Sequence, residues 1–169
     1  MLKLRPYREA DAETIVRWIE DETTMRKLAA NLYDSFPLSP ETMIRQYRIY
    51  KTTHSMIACA VEDESGSLCG HFVYLFRPED PDTARLCFVI TDSSRRGQGI
   101  GTEMVRLAVQ NAFDQLNVKR VTLCVFANNP YAHQCYRTAG FRDLEPVRQV
   151  SIMGESWECI DMELEAAWN

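Results

Sequence analysis

Two arginines and three glycines share the seven residues "RRGQGIG", positions 95–101. An apolar run, "DTARLCFVIT", precedes them, and a helix-forming run, "TEMVRLAVQNAF", follows. This stretch constrains the fold more than any other. The first N–H groups of a helix have no partner inside it, and the helix dipole adds a partial positive charge there. Glycine lets the backbone approach an anion with no Cβ in the way. Arg95 and Arg96 add full charges. A strand, a glycine turn and a helix in that order describe a phosphate or pyrophosphate cradle.

Two familiar cradles are excluded by single residues. A mononucleotide loop needs Lys and then Ser or Thr after its last glycine, whereas Gly101 is followed by Thr102 and Glu103. A dinucleotide fingerprint needs a glycine at position 102 and an acidic residue after the next strand. Position 102 is Thr, and the next strand ends in "FANNP".

The remaining pattern sets the fold class. "LKLRPY" alternates as a strand does. In "READAETIVRWIED", Ala12, Ile15, Val16 and Ile19 recur at helical spacing, with Asp11 as the expected N-cap. "TTMRKLA" reads as a short second helix. Ser39 and Pro40 open a third as N-cap and first residue. "HSMIACAVED" and "SLCGHFVYLFR" form a hairpin around Gly66, and a third strand follows a loop carrying Pro78 and Pro81. After the helix that ends near Leu116 come a strand, "KRVTLCVFA", a helix, "NPYAHQCYRTAG", and a final pair of strands. The prediction is a mixed α/β fold: a mostly antiparallel sheet of about seven strands, flanked by helices, with at least one parallel crossover. With no linker or repeat, residues 1–169 read as a single domain.

Composition narrows the partners. The formal net charge is -5, which excludes the basic footprint of a nucleic-acid binder. The six cysteines lack metal-ligand spacing, and most sit in apolar runs, so they read as buried reduced thiols; no metal is expected. The N-terminus lacks the apolar core of a signal peptide, and no run approaches a membrane span. The expected compartment is the cytoplasm.

A second motif makes the cradle specific. In "NNPYAHQCYRTAGF", Asn129 is an expected N-cap with Pro130 behind it. Ala132, Cys135, Tyr136 and Ala139 share a helical face, and Gly140 ends the helix before Phe141. With Arg96, Gly99 and Gly101 upstream, this chain resembles the GNAT superfamily of N-acetyltransferases. Arg96, Gly99 and Gly101 match its phosphate motif; Asn129, Ala132, Tyr136, Gly140 and Phe141 match its later one.

The resemblance implies a splayed sheet and acetyl-CoA as co-substrate. It implies that backbone groups of Val89, Ile90 and Thr91 bind the pantetheine arm, and that the amides of Gly97, Gln98, Gly99, Ile100, Gly101 and Thr102 hold the pyrophosphate beside Arg96. It places Asn129 near the pantetheine or thiol end, an oxyanion-binding N–H near Val89, and Tyr136 as the acid that protonates the departing thiolate. The implied activity is direct acetyl transfer to an amine, a small one or a peptide N-terminus, and homodimers are common in the superfamily. A non-catalytic acetyl-CoA-binding domain is the alternative, and a covalent intermediate on Cys135 the competing mechanism.

No base stands out. Some members carry a glutamate near the position of Arg85; here the nearest carboxylate is Asp82. His54, His71 and His133 read as core or surface histidines. The acceptor site is expected between residues 18–38 and 142–160. Trp18, Tyr33, Phe36 and Trp157 are its candidate wall, and Asp21, Glu22, Asp34 and Glu155 its candidate acids.

Overall fold

The computed structural model describes residues 1–167. Among these residues, five α-helices and eight strands follow in chain order. Strand β1 (Lys3–Pro6) leads through a 3-10 turn into α1 (Ala12–Arg17), α2 (Glu22–Ala29) and α3 (Pro40–Thr53). Strands β2 (Ser55–Glu62), β3 (Leu68–Arg77) and β4 (Asp80–Thr91) form a meander. Then come α4 (Ile100–Asp114), β5 (Arg120–Phe126), α5 (Pro130–Thr138), β6 (Arg142–Asp143), β7 (Arg148–Ile152) and β8 (Glu155–Glu165).

All eight strands join one sheet in the order β1-β2-β3-β4-β5-β8-β6, with β7 also paired to β8. Every pairing is antiparallel except β4–β5, which is parallel and spanned by α4. Eight strands replace the expected seven because "FRDLEPVRQVSIM" divides into β6 and β7. Pro146 lies between them and has no N–H to offer β8, so the ladder breaks there.

Local signals set the helix starts. Ser39 Oγ accepts from Thr42 N at 3.1 Å, with Pro40 at the first helical position. Asn129 Oδ1 accepts from Ala132 N at 3.4 Å. Asp11 behaves differently from an N-cap of α1. Its carboxylate reaches back to Arg8 N at 2.8 Å and grips Arg5 at 2.7 and 2.9 Å, so it closes the 3-10 turn and ties it to β1.

The two sheet faces bury separate cores. Helices α4 and α5 cover a core containing Ala84, Leu86, Met104, Val105, Val121, Leu123, Val125 and Tyr136. Helices α1 to α3 cover one containing Ile15, Trp18, Met25, Met43, Tyr47 and Val73. Strand β4 feeds both: Ala84 and Leu86 face one core, Cys87, Phe88 and Ile90 the other. That two-sided burial is the reason "ARLCFVI" reads as a continuous apolar run.

Candidate active site

The site begins where the parallel pair fails. Strands β4 and β5 pair only at Thr83↔Arg120, Ala84↔Val121 and Arg85↔Thr122. Beyond that point β4 runs on to Thr91 and β5 to Phe126 with no pairing between them. The opposite edge of β4 stays bound to β3, at His71↔Ile90 and Gly70↔Thr91. The parted edge of β4, carrying Val89, Ile90 and Thr91, thus presents backbone groups that no strand satisfies. Such groups seek a polar partner, and an amide-bearing arm would supply one.

A bulge bends β4 away. Between Val73↔Cys87 and His71↔Ile90, two residues of β4, Phe88 and Val89, stand against Phe72 alone. Phe88 takes a φ of 51°, a left-handed conformation that disfavours a side chain. Packing holds it there: the rings of Tyr47 and Tyr33 lie 5.7 and 6.4 Å from Phe88.

At the end of β4 the glycine segment folds as a cradle. Gly97 and Gly99 both have φ 77°, and a Cβ built on either would meet nothing within 4 Å. Gly99 is the N-cap of α4 and has no side chain to cap with, so the first amides of the helix remain open. The geometry therefore fits a pyrophosphate. Gly101 serves differently: a Cβ there would lie 3.5 Å from Cys135 Sγ, so this glycine sets how closely α4 and α5 approach.

The two arginines divide their work. Arg95 Nη1 donates to Asp63 at 2.6 Å and is 30% exposed, which pins the cradle to the β2–β3 turn. Arg96 is 59% exposed and, among the described residues, pairs with Glu20 at 3.4 Å. Of the two guanidiniums it is the one left open to solvent.

Tyr136 of α5 belongs to the core that α4 and α5 bury against the sheet. It is only 7% exposed, packs edge-on against Phe141 at 6.2 Å, and its hydroxyl makes no hydrogen bond among the described residues. Burial pushes its pKa well above the ordinary tyrosine value, with the thiols of Cys135, Cys124 and Cys87 adding to the effect. The phenol therefore stays protonated at neutral pH, as a general acid must. Cys135 turns towards α4. Thr102 Oγ1 donates to its sulfur at 3.4 Å, which places it under the cradle between α4 and α5.

Other sequence candidates resolve into structural roles. Asp82 pairs with Lys119 Nζ at 2.5 Å near the start of β4, before the strands part. His71 is fully buried between Tyr47 OH, 2.7 Å from its Nε2, and the Cys59 carbonyl, 2.8 Å from its Nδ1. His133 Nε2 meets Asp143 at 2.8 Å, and His54 Nδ1 meets Thr53 Oγ1 at 2.8 Å. Trp18 and Tyr33 are core residues with Phe36 packed against them, and Trp157 joins Phe126 in a small third cluster. Asp21 caps α2 through Thr24 N at 2.6 Å, Glu22 holds Arg26 at 3.0 Å, and Glu155 accepts from Trp157 Nε1 at 3.1 Å. Asp34 is exposed. Asn31 Nδ2 donates to the Ser151 carbonyl at 2.9 Å, which brings the two expected halves of the acceptor region together.

One group escaped the sequence reading. Cys124, in "VTLCVF", reads as one more core thiol, yet it is exposed where β5 leaves β4. Strand alternation was the available signal, since Leu123 and Val125 beside it are buried.

Comparison with known proteins agrees with this geometry. The family model described as the Acetyltransferase (GNAT) family matches residues 13–141. A spermidine N-acetyltransferase from Vibrio cholerae, solved with CoA and spermine, superposes with a TM-score of 0.80 at 20% identity, covering 97% of this chain and 95% of that one. A chimera of the Vibrio cholerae enzyme gives 0.78 at 20% identity over 97% and 95%. Mutant forms of the Vibrio cholerae spermidine/spermine N-acetyltransferase give 0.74 at 19% identity over 98% and 95%. With its parted strands, open glycine cradle and matched family model, the chain belongs to the acetyltransferase (GNAT) family and is an acetyl-CoA-dependent N-acetyltransferase.

Proposed function

We propose that the enzyme moves the acetyl group of acetyl-CoA directly to a primary amine in a ternary complex. The parting of β4 and β5 above the open N-terminus of α4 carries this reading. In it, Val89, Ile90 and Thr91 offer the free edge of β4 to the pantetheine amides. The amides of Gly97, Gln98, Gly99, Ile100, Gly101 and Thr102 hold the pyrophosphate, and Arg96 neutralises its outer charge. Asn129 stands at the thiol end, with its carboxamide oxygen engaged in capping α5. An N–H near the Val89 bulge meets the developing oxyanion. Tyr136 donates its proton to the departing thiolate.

The acceptor is a small amine or a peptide N-terminus. Spermidine and spermine come first in the screen, because similar solved structures are of enzymes named for these substrates. Residues 1–169 are taken as one catalytic domain working in the cytoplasm. A homodimer is part of the same reading, and light scattering on the purified chain measures it.

Calorimetric titration with acetyl-CoA, and separately with CoA, tests the proposal. Micromolar binding of both, followed by amine-dependent CoA release, supports it. If neither binds, the cradle is only a flexible turn and the reading falls. If both bind but no amine in a panel of polyamines, amino sugars and peptides releases CoA, the chain is a cofactor-binding domain instead.

A further inference from the structure

Phe88 breaks the alternation of β4. Cys87 and Phe88 are neighbours in sequence, yet both pack against the core under α1 to α3, while Leu86 and Val89 belong to the core under α4 and α5. Neighbours in a regular strand face opposite sides. The left-handed φ of 51° at Phe88 marks the skipped step, and Phe88 and Val89 together stand against Phe72 of β3. A straight β4 would send the Phe88 ring to the opposite core. It would also change which N–H and C=O groups of Val89, Ile90 and Thr91 point to the open edge, because these groups alternate along a strand too. The bulge therefore selects the backbone groups that β4 offers to a ligand.

A phenylalanine does not adopt that φ by preference. Two aromatic jaws hold its ring. Tyr47 of α3 lies 5.7 Å away, tilted by 60°, and Tyr33 of the α2–α3 loop 6.4 Å away, tilted by 59°. Both tyrosines are buried, and each has its own anchor. The Tyr47 hydroxyl is 2.7 Å from His71 Nε2, and His71 Nδ1 is 2.8 Å from the Cys59 carbonyl of β2. A carbonyl only accepts, so Nδ1 carries the proton and Nε2 of the neutral ring accepts from Tyr47. Burial lowers the His71 pKa to about 4, in keeping with a neutral ring. His71 itself stands opposite Ile90, at the far side of the bulge. The other jaw is held by Arg26, whose Nη1 donates to the Tyr33 carbonyl at 2.6 Å. The same guanidinium reaches the carbonyls of Ala30 and Asp34, each at 3.3 Å.

We propose that Phe88 is a positioning residue for acetyl-CoA: the grip of Tyr33 and Tyr47 on its ring keeps its own backbone left-handed, and that turn sets which groups of Val89, Ile90 and Thr91 meet the pantetheine arm. The proposal rests on the acetyl-transfer reading above. Phe88 acts through the backbone of its neighbours, with Tyr47 and His71 acting through Phe88. One consequence separates this role from ordinary packing. The ring is needed only to hold a conformation, and glycine adopts that conformation with no help. Removing the ring while keeping the Cβ should therefore harm cofactor binding more than removing the whole side chain.

Calorimetry tests this without an acceptor, at a temperature where circular dichroism shows each variant folded. Phe88→Ala keeps the Cβ that disfavours the left-handed turn and loses the ring. Its acetyl-CoA affinity is expected to fall about tenfold, because only the fraction that stays bulged binds. Phe88→Gly is expected to bind at least about fivefold tighter than Phe88→Ala, although it removes more packing. ADP, which offers a pyrophosphate without a pantetheine arm, is expected to bind the two variants and the parent alike. Equal acetyl-CoA affinities of the glycine and alanine variants overturn the proposal, as does a Phe88→Ala protein that binds like the parent. A matching loss of ADP affinity overturns it too, since the damage would then be general. Tyr47→Phe keeps its ring and drops the bond to His71, and it decides the matter even if Phe88→Ala does not fold. It is expected to weaken acetyl-CoA binding about threefold in the parent and to have almost no effect in the Phe88→Gly background, where no grip is needed. Equal losses in both backgrounds overturn the proposal. Failed acetyl-CoA binding by the unsubstituted protein would instead undo the reading on which the proposal rests, so the two failures are distinguishable.

Discussion

Replacing Gly99 separates backbone strain from ligand recognition. Its φ of 77° costs a residue with a Cβ about 1–2 kcal/mol. No atom lies within 4 Å of a built Cβ, so no clash adds to that cost. Gly154, in the β7–β8 turn, has the same φ of 77° and the same empty surroundings. Gly99→Ala and Gly154→Ala should therefore lower the melting temperature alike, by about 2–8 °C for a chain of this size. They should part company on titration with acetyl-CoA, because only the Gly99 methyl enters the cradle. Gly99→Glu adds a carboxylate to the same place. At about 4 Å from a phosphate charge, repulsion is about 1 kcal/mol in a water-like medium and about 4 kcal/mol near a partly buried surface. Affinity should fall by one to three orders of magnitude by calorimetry, while Gly154→Ala binds as the parent does. If Gly99→Glu binds acetyl-CoA within threefold of the parent, the cradle is not the pyrophosphate site. If Gly154→Ala loses as much affinity as Gly99→Ala, the loss comes from general destabilisation.

Other expectations follow from the same geometry. Tyr136→Phe should reduce turnover about 100-fold and leave acetyl-CoA affinity and melting temperature nearly unchanged, since the hydroxyl has no hydrogen-bond partner among the described residues; equal losses in binding and turnover would give the ring a packing role alone. Arg95→Ala should lower the melting temperature slightly through the lost Asp63 pair, whereas Arg96→Ala should weaken acetyl-CoA binding with little effect on unfolding; the reverse pattern in paired melts and titrations would show that the two roles are exchanged. Burial lowers the His71 pKa from 6.5 to about 4, so its contribution is complete above pH 6.5 and is lost as pH falls towards 4, because the unfolded chain takes up the proton first. That loss amounts to about 2 kcal/mol at pH 5 relative to pH 7, and denaturant titrations should show a shallower decline over this interval in His71→Leu than in the parent. An identical decline in both would mean that His71 is not neutral in the folded protein.

Much of this molecule is local, and local features are legible in a sequence. The caps at Ser39 and Asn129, the proline that follows each, and the glycine that ends α5 act within three or four residues through hydrogen bonds and φ preferences. The cradle belongs to this class: a positive φ at Gly97 and Gly99 and an uncapped helix start are properties of "RRGQGIG" itself. The sequence of helices and strands along the chain is also largely local, because period, length and flanking turn residues tell most runs apart.

Long-range pairing decided the rest. Nothing in "ARLCFVIT" or "VTLCVFA" states that their ladder stops at Arg85↔Thr122, because the stop depends on the bulge at Phe88 and on the rings that hold it. Arg95 and Arg96 are equivalent as letters. A turn some thirty residues earlier, through Asp63, takes one and leaves the other exposed. Cys124 reads like the other thiols until the register of β5 against β8 sets it among Asp161, Cys159 and Arg148. The sequence by itself determined the open glycine turn ahead of α4 and the helix bearing Tyr136, since backbone sterics and capping are written residue by residue. Only the tertiary structure decided where the sheet opens and which charges face the opening, since both are set by contacts between strands far apart in the chain.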